Sequence, residues 1–164
     1  MDTPRVLSIS PGTRKVGYAY FEGEKLIDWG VRENIVGDLS ERVTKIGLKH
    51  IRALIKRYEP EVLILPSPER HKPNQKKFVE TIESEFQSDE LVVERLSRYD
   101  VRDCFASMTH VERITKQDVM VELARRYTDL QSRVPKPRRS WDPPDWWAPM
   151  FEAAARAVTW ITKS

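Results

Sequence analysis

The hydrophobic pattern changes period close to residue 38, and this change limits the possible folds more than any other feature of the sequence. Residues 5–10, 16–21 and 25–31 are short apolar segments separated by turn residues, which predicts an antiparallel meander of three strands. Between residues 39 and 58 the apolar side chains fall mostly at helical spacing, and Pro60 ends that pattern. A meander followed by an amphipathic helix is typical of an α/β domain.

Two further strands are predicted after this helix. Residues 61–65 form a nearly continuous apolar run, as expected for a strand buried on both faces of a sheet, and residues 91–96 predict another strand. Helices are predicted at residues 78–86, 101–108, 115–127 and 149–162. This order predicts an α/β fold with a mixed five-stranded sheet, an antiparallel meander plus parallel strands, flanked by helices.

The composition fits one domain of this kind. The chain has 164 residues, 40% hydrophobic and 32% charged, a mixture too apolar for a disordered chain and too charged for a membrane protein. The longest apolar runs, such as residues 62–65, are far too short for a transmembrane helix, so we expect no membrane partner. The single cysteine, Cys104, excludes an internal disulfide and predicts a reducing, cytoplasmic setting. We expect residues 1–164 to form a single domain.

Three segments carry motifs of one known family in the right order. Residues 6–14, VLSISPGTR, resemble an opening motif in which an apolar strand ends in Asp-Pro-Gly-Ser/Thr, and Gly17 follows as in that pattern. Residues 60–65, PEVLIL, resemble a fourth strand that ends in a Glu in the family. Residues 151–157, FEAAARA, resemble a closing helix in which the family has an Asp followed by small residues. The chain therefore resembles the RuvC-type Holliday junction resolvase branch of the RNase H-like superfamily over nearly its whole length, which implies an RNase H-like fold.

The resemblance also implies where a catalytic site would lie. The family hydrolyses phosphodiesters with divalent metals held by carboxylates on the first strand, the fourth strand and the last helix. The matching positions here hold Ser10, Pro66 and Glu152, so one carboxylate remains where hard cations need several oxygen ligands. Ser10 has no evident partner base for a role as nucleophile. We therefore expect no metal cofactor and a degenerate catalytic site.

An active nuclease with a rearranged site is the alternative. Asp145, together with Asp142, could supply replacement carboxylates beside Glu152, and Mg²⁺ would then be a cofactor. The structural interpretation is that Asp145 caps or charges the start of the final helix and that Glu152 forms an exposed i,i+4 pair with Arg156. We favour the structural interpretation.

Two basic segments are candidate nucleic-acid contacts in a chain whose net charge is +3. One follows the fourth strand and the other precedes the last helix, so both should lie near the sheet end that carries Ser10. Trp146 and Trp147 could stack on bases beside the second segment, although solvated loops and core-packed tryptophans are the structural alternative. The candidate contacts are Arg14, Arg70, Lys72, Lys76, Lys77, Arg133, Lys136, Arg138 and Arg139.

The sequence thus predicts a RuvC-like domain that binds nucleic acid without cleaving it. Branched or duplex DNA is the expected partner, and the domain could act as a homodimer or as an accessory subunit beside a protein partner. The alternatives are an active divalent-metal nuclease and a protein-interaction module. Metal-dependent cleavage would favour the nuclease, and salt-dependent binding without cleavage would favour the non-catalytic domain.

Overall fold

The chain folds around a mixed sheet of five strands. The computed structural model describes residues 3–11, 15–33, 41–67, 73–137 and 145–164. The strands are β1 (Arg5–Pro11), β2 (Lys15–Glu22), β3 (Lys25–Glu33), β4 (Val62–Pro66) and β5 (Val92–Leu96). Their order across the sheet is β3-β2-β1-β4-β5. The first three strands pair antiparallel, and β4 and β5 extend the sheet in parallel from β1, which confirms the predicted mixed sheet.

Helices cover both faces of this sheet. The α-helices within the described residues are α1 (Glu41–Tyr58), α2 (Pro73–Phe86), α3 (Arg98–Thr109), α4 (Lys116–Arg126) and α5 (Ala148–Lys163). One sheet face packs against α1 and α2, and the other packs against α3, α4 and α5. Side chains alternate between the two faces along β1, with Leu7 and Ile9 in the first core and Val6 in the second. No helix in the described part of the chain is long and apolar enough to span a bilayer.

Two of the helices begin with reciprocal capping boxes. The Ser97 hydroxyl accepts a hydrogen bond from the backbone N–H of Asp100, and the Asp100 carboxylate accepts one from the Ser97 N–H. Thr115 and Asp118 repeat this arrangement at the start of α4, where the Thr-x-x-Asp spacing in the sequence is typical of a capping box. The Ser97 box explains why α3 begins at Arg98, earlier than the predicted helix.

Helix α2 also begins earlier than predicted. The sequence predicts that residues 70–77 form a basic loop and that the helix begins at residue 78, but the helix begins at Pro73. Proline suits the first position of a helix because no intrahelical partner is needed there for a backbone N–H. Lys76 and Lys77 are therefore exposed on a helix, and their assignment to a loop was wrong.

Helix α5 packs directly on the backbone of β2 at Gly17. A Cβ atom added to Gly17 would lie 2.1 Å from the carbonyl carbon of Pro149, in the first turn of α5. Gly17 pairs across the sheet with Ser10 near the end of β1. The close approach therefore brings the next turn of α5 to Ser10, where Glu152 contacts it.

Candidate functional site

A cleft of about 870 Å³ opens at the carboxyl ends of the parallel strands. The strands β1, β4 and β5 run in the same direction, so Pro11, Pro66 and Leu96 end them at one edge of the sheet. The cleft lies between this edge and helices α3, α4 and α5. Ligands of open α/β sheets bind beyond the carboxyl ends of the strands, so this cleft is the candidate functional site.

Two residues at the family's metal-ligand positions are hydrogen-bonded to each other. The Ser10 hydroxyl donates to Oε2 of Glu152 at 2.9 Å, across 142 residues of sequence. Ser10 is buried and Glu152 is exposed, and both line the cleft. The sequence showed no partner for Ser10, because the contact depends on how closely α5 packs on the sheet. The hydrogen bond satisfies the serine hydroxyl within the protein.

The residues at these positions do not fit a pair of divalent metals. Pro66 lines the cleft at the end of β4 but has no side-chain oxygen, and Ser10 offers a neutral hydroxyl where Mg²⁺ prefers a carboxylate. One oxygen of Glu152 already accepts the Ser10 hydrogen bond. Within the described residues, no group of three or more His, Cys, Asp or Glu side chains is arranged to hold a metal ion.

Asp145 shapes the turn that leads into α5. Its Oδ2 accepts a hydrogen bond from the Trp147 backbone N–H at 2.8 Å, and its carbonyl oxygen accepts one from the Ala148 N–H at 3.3 Å. These contacts form a turn ahead of the helix. The expected capping of α5 by Asp145 is wrong, because the N-cap residue is Trp147 and it carries no side-chain cap hydrogen bond. Asp145 also lines the same cleft as Glu152, whereas Asp142 lies outside the described residues.

The expected exposed ion pair between Glu152 and Arg156 is wrong. Arg156 is only 9% exposed, and its Nε donates to the backbone carbonyl of Leu96 at 3.1 Å. Its Nη1 makes a long contact of 3.5 Å with the backbone carbonyl of Glu152, not with the carboxylate. Burial lowers the pKa of Arg156, and the nearby negative charge of Glu152 opposes that shift. Helical spacing alone could not predict that this side chain turns inward.

The cleft carries basic residues that the sequence did not point to. Arg98 and Arg102 lie one turn apart on α3, and Lys116 is the first residue of α4. All three line the cleft, together with Arg156. A usable indication existed, because α3 follows β5 directly, and a helix that begins at the carboxyl end of a parallel strand lies at the candidate site.

The predicted basic contacts have different positions. Lys136 lines the cleft, and Arg133 lies over the ring of Trp147 with 4.7 Å from its guanidinium carbon to the ring centroid. Lys76 and Lys77 are exposed on α2 but are not among the lining residues, although their neighbour Gln75 is. The candidates Arg14, Arg70, Lys72, Arg138 and Arg139 lie outside the described residues.

The two tryptophans before α5 have different environments. Trp147 packs against the core edge-to-face with Trp29, with 5.6 Å between the ring centroids. Trp146 is 40% exposed, and the Lys15 ammonium group lies 4.6 Å from its ring centroid. The structural alternative therefore holds for Trp147, whereas Trp146 remains a surface aromatic beside a lysine.

The sheet order, the helical layers and the position of the cleft define an RNase H-like fold of the resolvase type. The structure is similar to RuvC of T. thermophilus in complex with a Holliday junction substrate, with a TM-score of 0.65 and 16% identity over 95% of this chain and 91% of that chain. It is also similar to Ydc2, the yeast mitochondrial Holliday junction resolvase, with a TM-score of 0.66 and 13% identity over 98% of this chain and 80% of that chain.

A third similar structure is the fowlpox virus resolvase in complex with its substrate Holliday junction DNA. The TM-score is 0.52, with 17% identity over 97% of both chains. No protein-family model matches the sequence, and no curated protein does. At these identities the similarity shows the fold, and it confirms the fold that the sequence motifs implied.

Proposed function

We propose that this domain binds branched or duplex DNA in the cleft and does not cleave it. The observation that carries the proposal is the charge of the cleft. Among the described residues, its lining includes two carboxylates, Asp145 and Glu152, and a larger set of basic side chains. The basic residues are Arg98, Arg102, Lys116, Lys136 and Arg156.

This charge suits a polyanion better than a cation. Each phosphate that a lysine or arginine neutralises releases condensed counterions, so such a surface gains affinity for DNA at low salt. The same cleft offers a serine and a proline where the resolvase family needs metal-binding carboxylates. Similarity to resolvases whose structures contain Holliday junction DNA supports a branched ligand.

The test is a fluorescence anisotropy titration of a labelled four-way junction and of a duplex with the same arm sequence. We expect binding to both at low salt, tighter binding to the junction, and a log–log salt slope of about −0.9 for each phosphate contacted. Incubation with Mg²⁺ or Mn²⁺ should leave both DNAs intact. Equal affinity for the two DNAs would retain DNA binding but remove structure-specific recognition.

The rearranged nuclease is the second candidate, because Asp145 and Glu152 line the same cleft. Junction cleavage that requires Mn²⁺ or Mg²⁺ and disappears in Glu152→Gln would establish this candidate and contradict the non-catalytic proposal. Absence of DNA binding at low salt would instead favour a protein-interaction module. An accessory role beside a protein partner, or as a homodimer, is compatible with non-catalytic DNA binding.

A further inference from the structure

Arg156, the buried arginine of the cleft, lies close to the end of β4. Leu96 pairs with Pro66 in the sheet register, and its carbonyl oxygen accepts hydrogen bonds from both Ser67 N–H, at 2.9 Å, and Arg156 Nε, at 3.1 Å. Pro66 holds the position at which the family resemblance implies a carboxylate. A guanidinium group therefore lies close to a site where the family has an anionic metal ligand.

The charge of Arg156 has neutral hydrogen-bond partners. Both of its hydrogen bonds within the described residues go to backbone carbonyl oxygens, and the carboxylate of Glu152 bonds instead to Ser10. A guanidinium has five N–H donors, and the nearby charge of Glu152 offsets only part of the cost of burial, which still lowers the pKa of Arg156. An anion in the cleft would offset that cost.

A second guanidinium of the cleft has an unsatisfied donor. The Nε of Arg98 is buried and makes no hydrogen bond within the described part of the chain. Its Nη2 donates to the Tyr99 hydroxyl at 3.1 Å, which leaves Nε as the orphan. A buried donor without a partner is costly, and a ligand or water can complete its hydrogen bonding. Arg98 and Arg156 line the same cleft.

We propose that Arg98 and Arg156 bind one backbone phosphate of the DNA, so that two guanidinium groups supply the positive charge that metal ions supply in active resolvases. Arginine suits this role because its planar fork bonds phosphate oxygens in pairs and it stays protonated in proteins. This inference rests on the proposed function, since it names the chemistry by which the cleft holds DNA. It makes binding independent of divalent metal.

The inference gives Glu152 an effect opposite to that of a metal ligand. Its carboxylate would repel the bound phosphate, so Glu152→Gln should tighten junction binding about two- to fivefold, a size typical of an exposed charge. Glutamine keeps an oxygen that can accept the Ser10 hydrogen bond. If Glu152 instead held a metal that binds DNA, the same substitution would weaken binding.

The experiment measures junction affinity by anisotropy in EDTA and in Mg²⁺ at matched ionic strength. The proteins are the natural sequence, Arg98→Ala, Arg98→Lys, Glu152→Gln and the control Arg57→Ala, an exposed arginine of α1 on the opposite sheet face. We expect equal affinity with and without Mg²⁺, at least about tenfold weaker binding for Arg98→Ala, and an intermediate loss for Arg98→Lys. Arg57→Ala should stay within about twofold of the natural sequence.

The outcomes separate this inference from the proposed function. If the natural sequence binds no DNA at low salt, both are wrong. If DNA binds but requires Mg²⁺, if Glu152→Gln weakens binding, or if Arg98→Ala matches Arg57→Ala, the two-arginine phosphate site is wrong while DNA binding stands. Arg156→Lys serves as an additional variant, used only if circular dichroism and thermal unfolding show that it folds.

Discussion

Asp28 and Arg156 both hold a charged group partly or fully away from water, but their surroundings differ. The carboxylate of Asp28 on β3 accepts hydrogen bonds from the Tyr58 hydroxyl at 2.5 Å, the Trp29 N–H at 2.8 Å and, at a longer 3.4 Å, the Tyr18 hydroxyl. Arg156 has only backbone carbonyl partners within the described residues. The Asp28 carboxylate therefore receives three hydrogen bonds from the protein. The Arg156 guanidinium has fewer acceptors within the described residues than it has N–H donors.

This difference suggests how to separate structural from ligand-binding polar groups. A polar cluster whose hydrogen bonds are complete stabilises the fold and gains nothing from a ligand. A cluster that keeps an orphan donor, as Arg98 does, and faces a cleft can still donate a hydrogen bond to a ligand or to water. Substitutions in the Asp28 cluster should therefore change stability, and substitutions of Arg98 should change DNA binding.

Gly17→Ala should have the largest effect and should damage the cleft side of the molecule. The added Cβ would meet the backbone of Pro149, which cannot move aside like a flexible side chain, so we expect a loss of about 3 kcal/mol or more in unfolding free energy. The matched control is Gly30→Ala, whose Cβ would lie 3.0–3.2 Å from atoms of the Tyr18 side chain, a less severe contact than the one with backbone at Gly17. Urea unfolding measures both, and equal losses would contradict the role of the α5 contact.

Tyr58→Phe should come next and should affect stability alone. It removes the short hydrogen bond to Asp28 but keeps the ring, which stacks on Tyr20 with 4.1 Å between centroids. A hydrogen bond to a charged group contributes about 1.5–3 kcal/mol, so unfolding free energy should fall by that amount. Junction affinity, measured by anisotropy well below the unfolding midpoint, should not change. A change in affinity would break the separation between the two regions.

The same cluster predicts a loss of stability at high pH. Burial, the hydrogen bond to Asp28 and its negative charge raise the pKa of Tyr58 to about 12. The phenol is therefore harder to ionise in the folded protein than in the unfolded chain, whose tyrosines titrate near pH 10. The stability from Tyr58 is fully present below about pH 10 and is lost as the pH rises toward 12. Denaturant midpoints measured across this window should fall more steeply for the natural sequence than for Tyr58→Phe.

Much of the fold was predictable because its determinants are local. The strand segments alternate or run apolar within a few residues, and Thr115 with Asp118 gives a capping box that can be read directly. Boundaries were missed where a less obvious feature decides them. Ser97 starts α3 early through a box closed by an aspartate, and Pro73 starts α2 before its first apolar residue.

The site was only partly predictable because its contacts join distant segments. The sequence identified Ser10, Pro66 and Glu152 by resemblance, and the structure places all three at one cleft. The sequence wrongly predicted that Arg156 is exposed and paired with Glu152. A spacing of four residues brings two side chains to one helix face but does not say whether that face packs on the sheet. In the sequence Arg98 looks like any other basic residue, and only the fold shows that its Nε is buried.

We expect the smallest effect from Ser10→Ala, which removes a hydrogen bond of the cleft that is formed within the protein. Glu152 is exposed, so water can replace Ser10 as a partner of its carboxylate, and loss of the Ser10–Glu152 hydrogen bond should lower unfolding free energy by only about 0.5–1.5 kcal/mol. The cleft keeps both guanidinium groups, so junction affinity should stay within about twofold, whereas Ser10→Asp should weaken binding by adding a negative charge. Anisotropy and urea unfolding measure the two quantities. Tighter binding of Ser10→Asp in Mg²⁺ than in EDTA would mean that the cleft accepts a metal once a second carboxylate is present. A cleft that binds phosphate through arginines would then not be incompatible with a metal site.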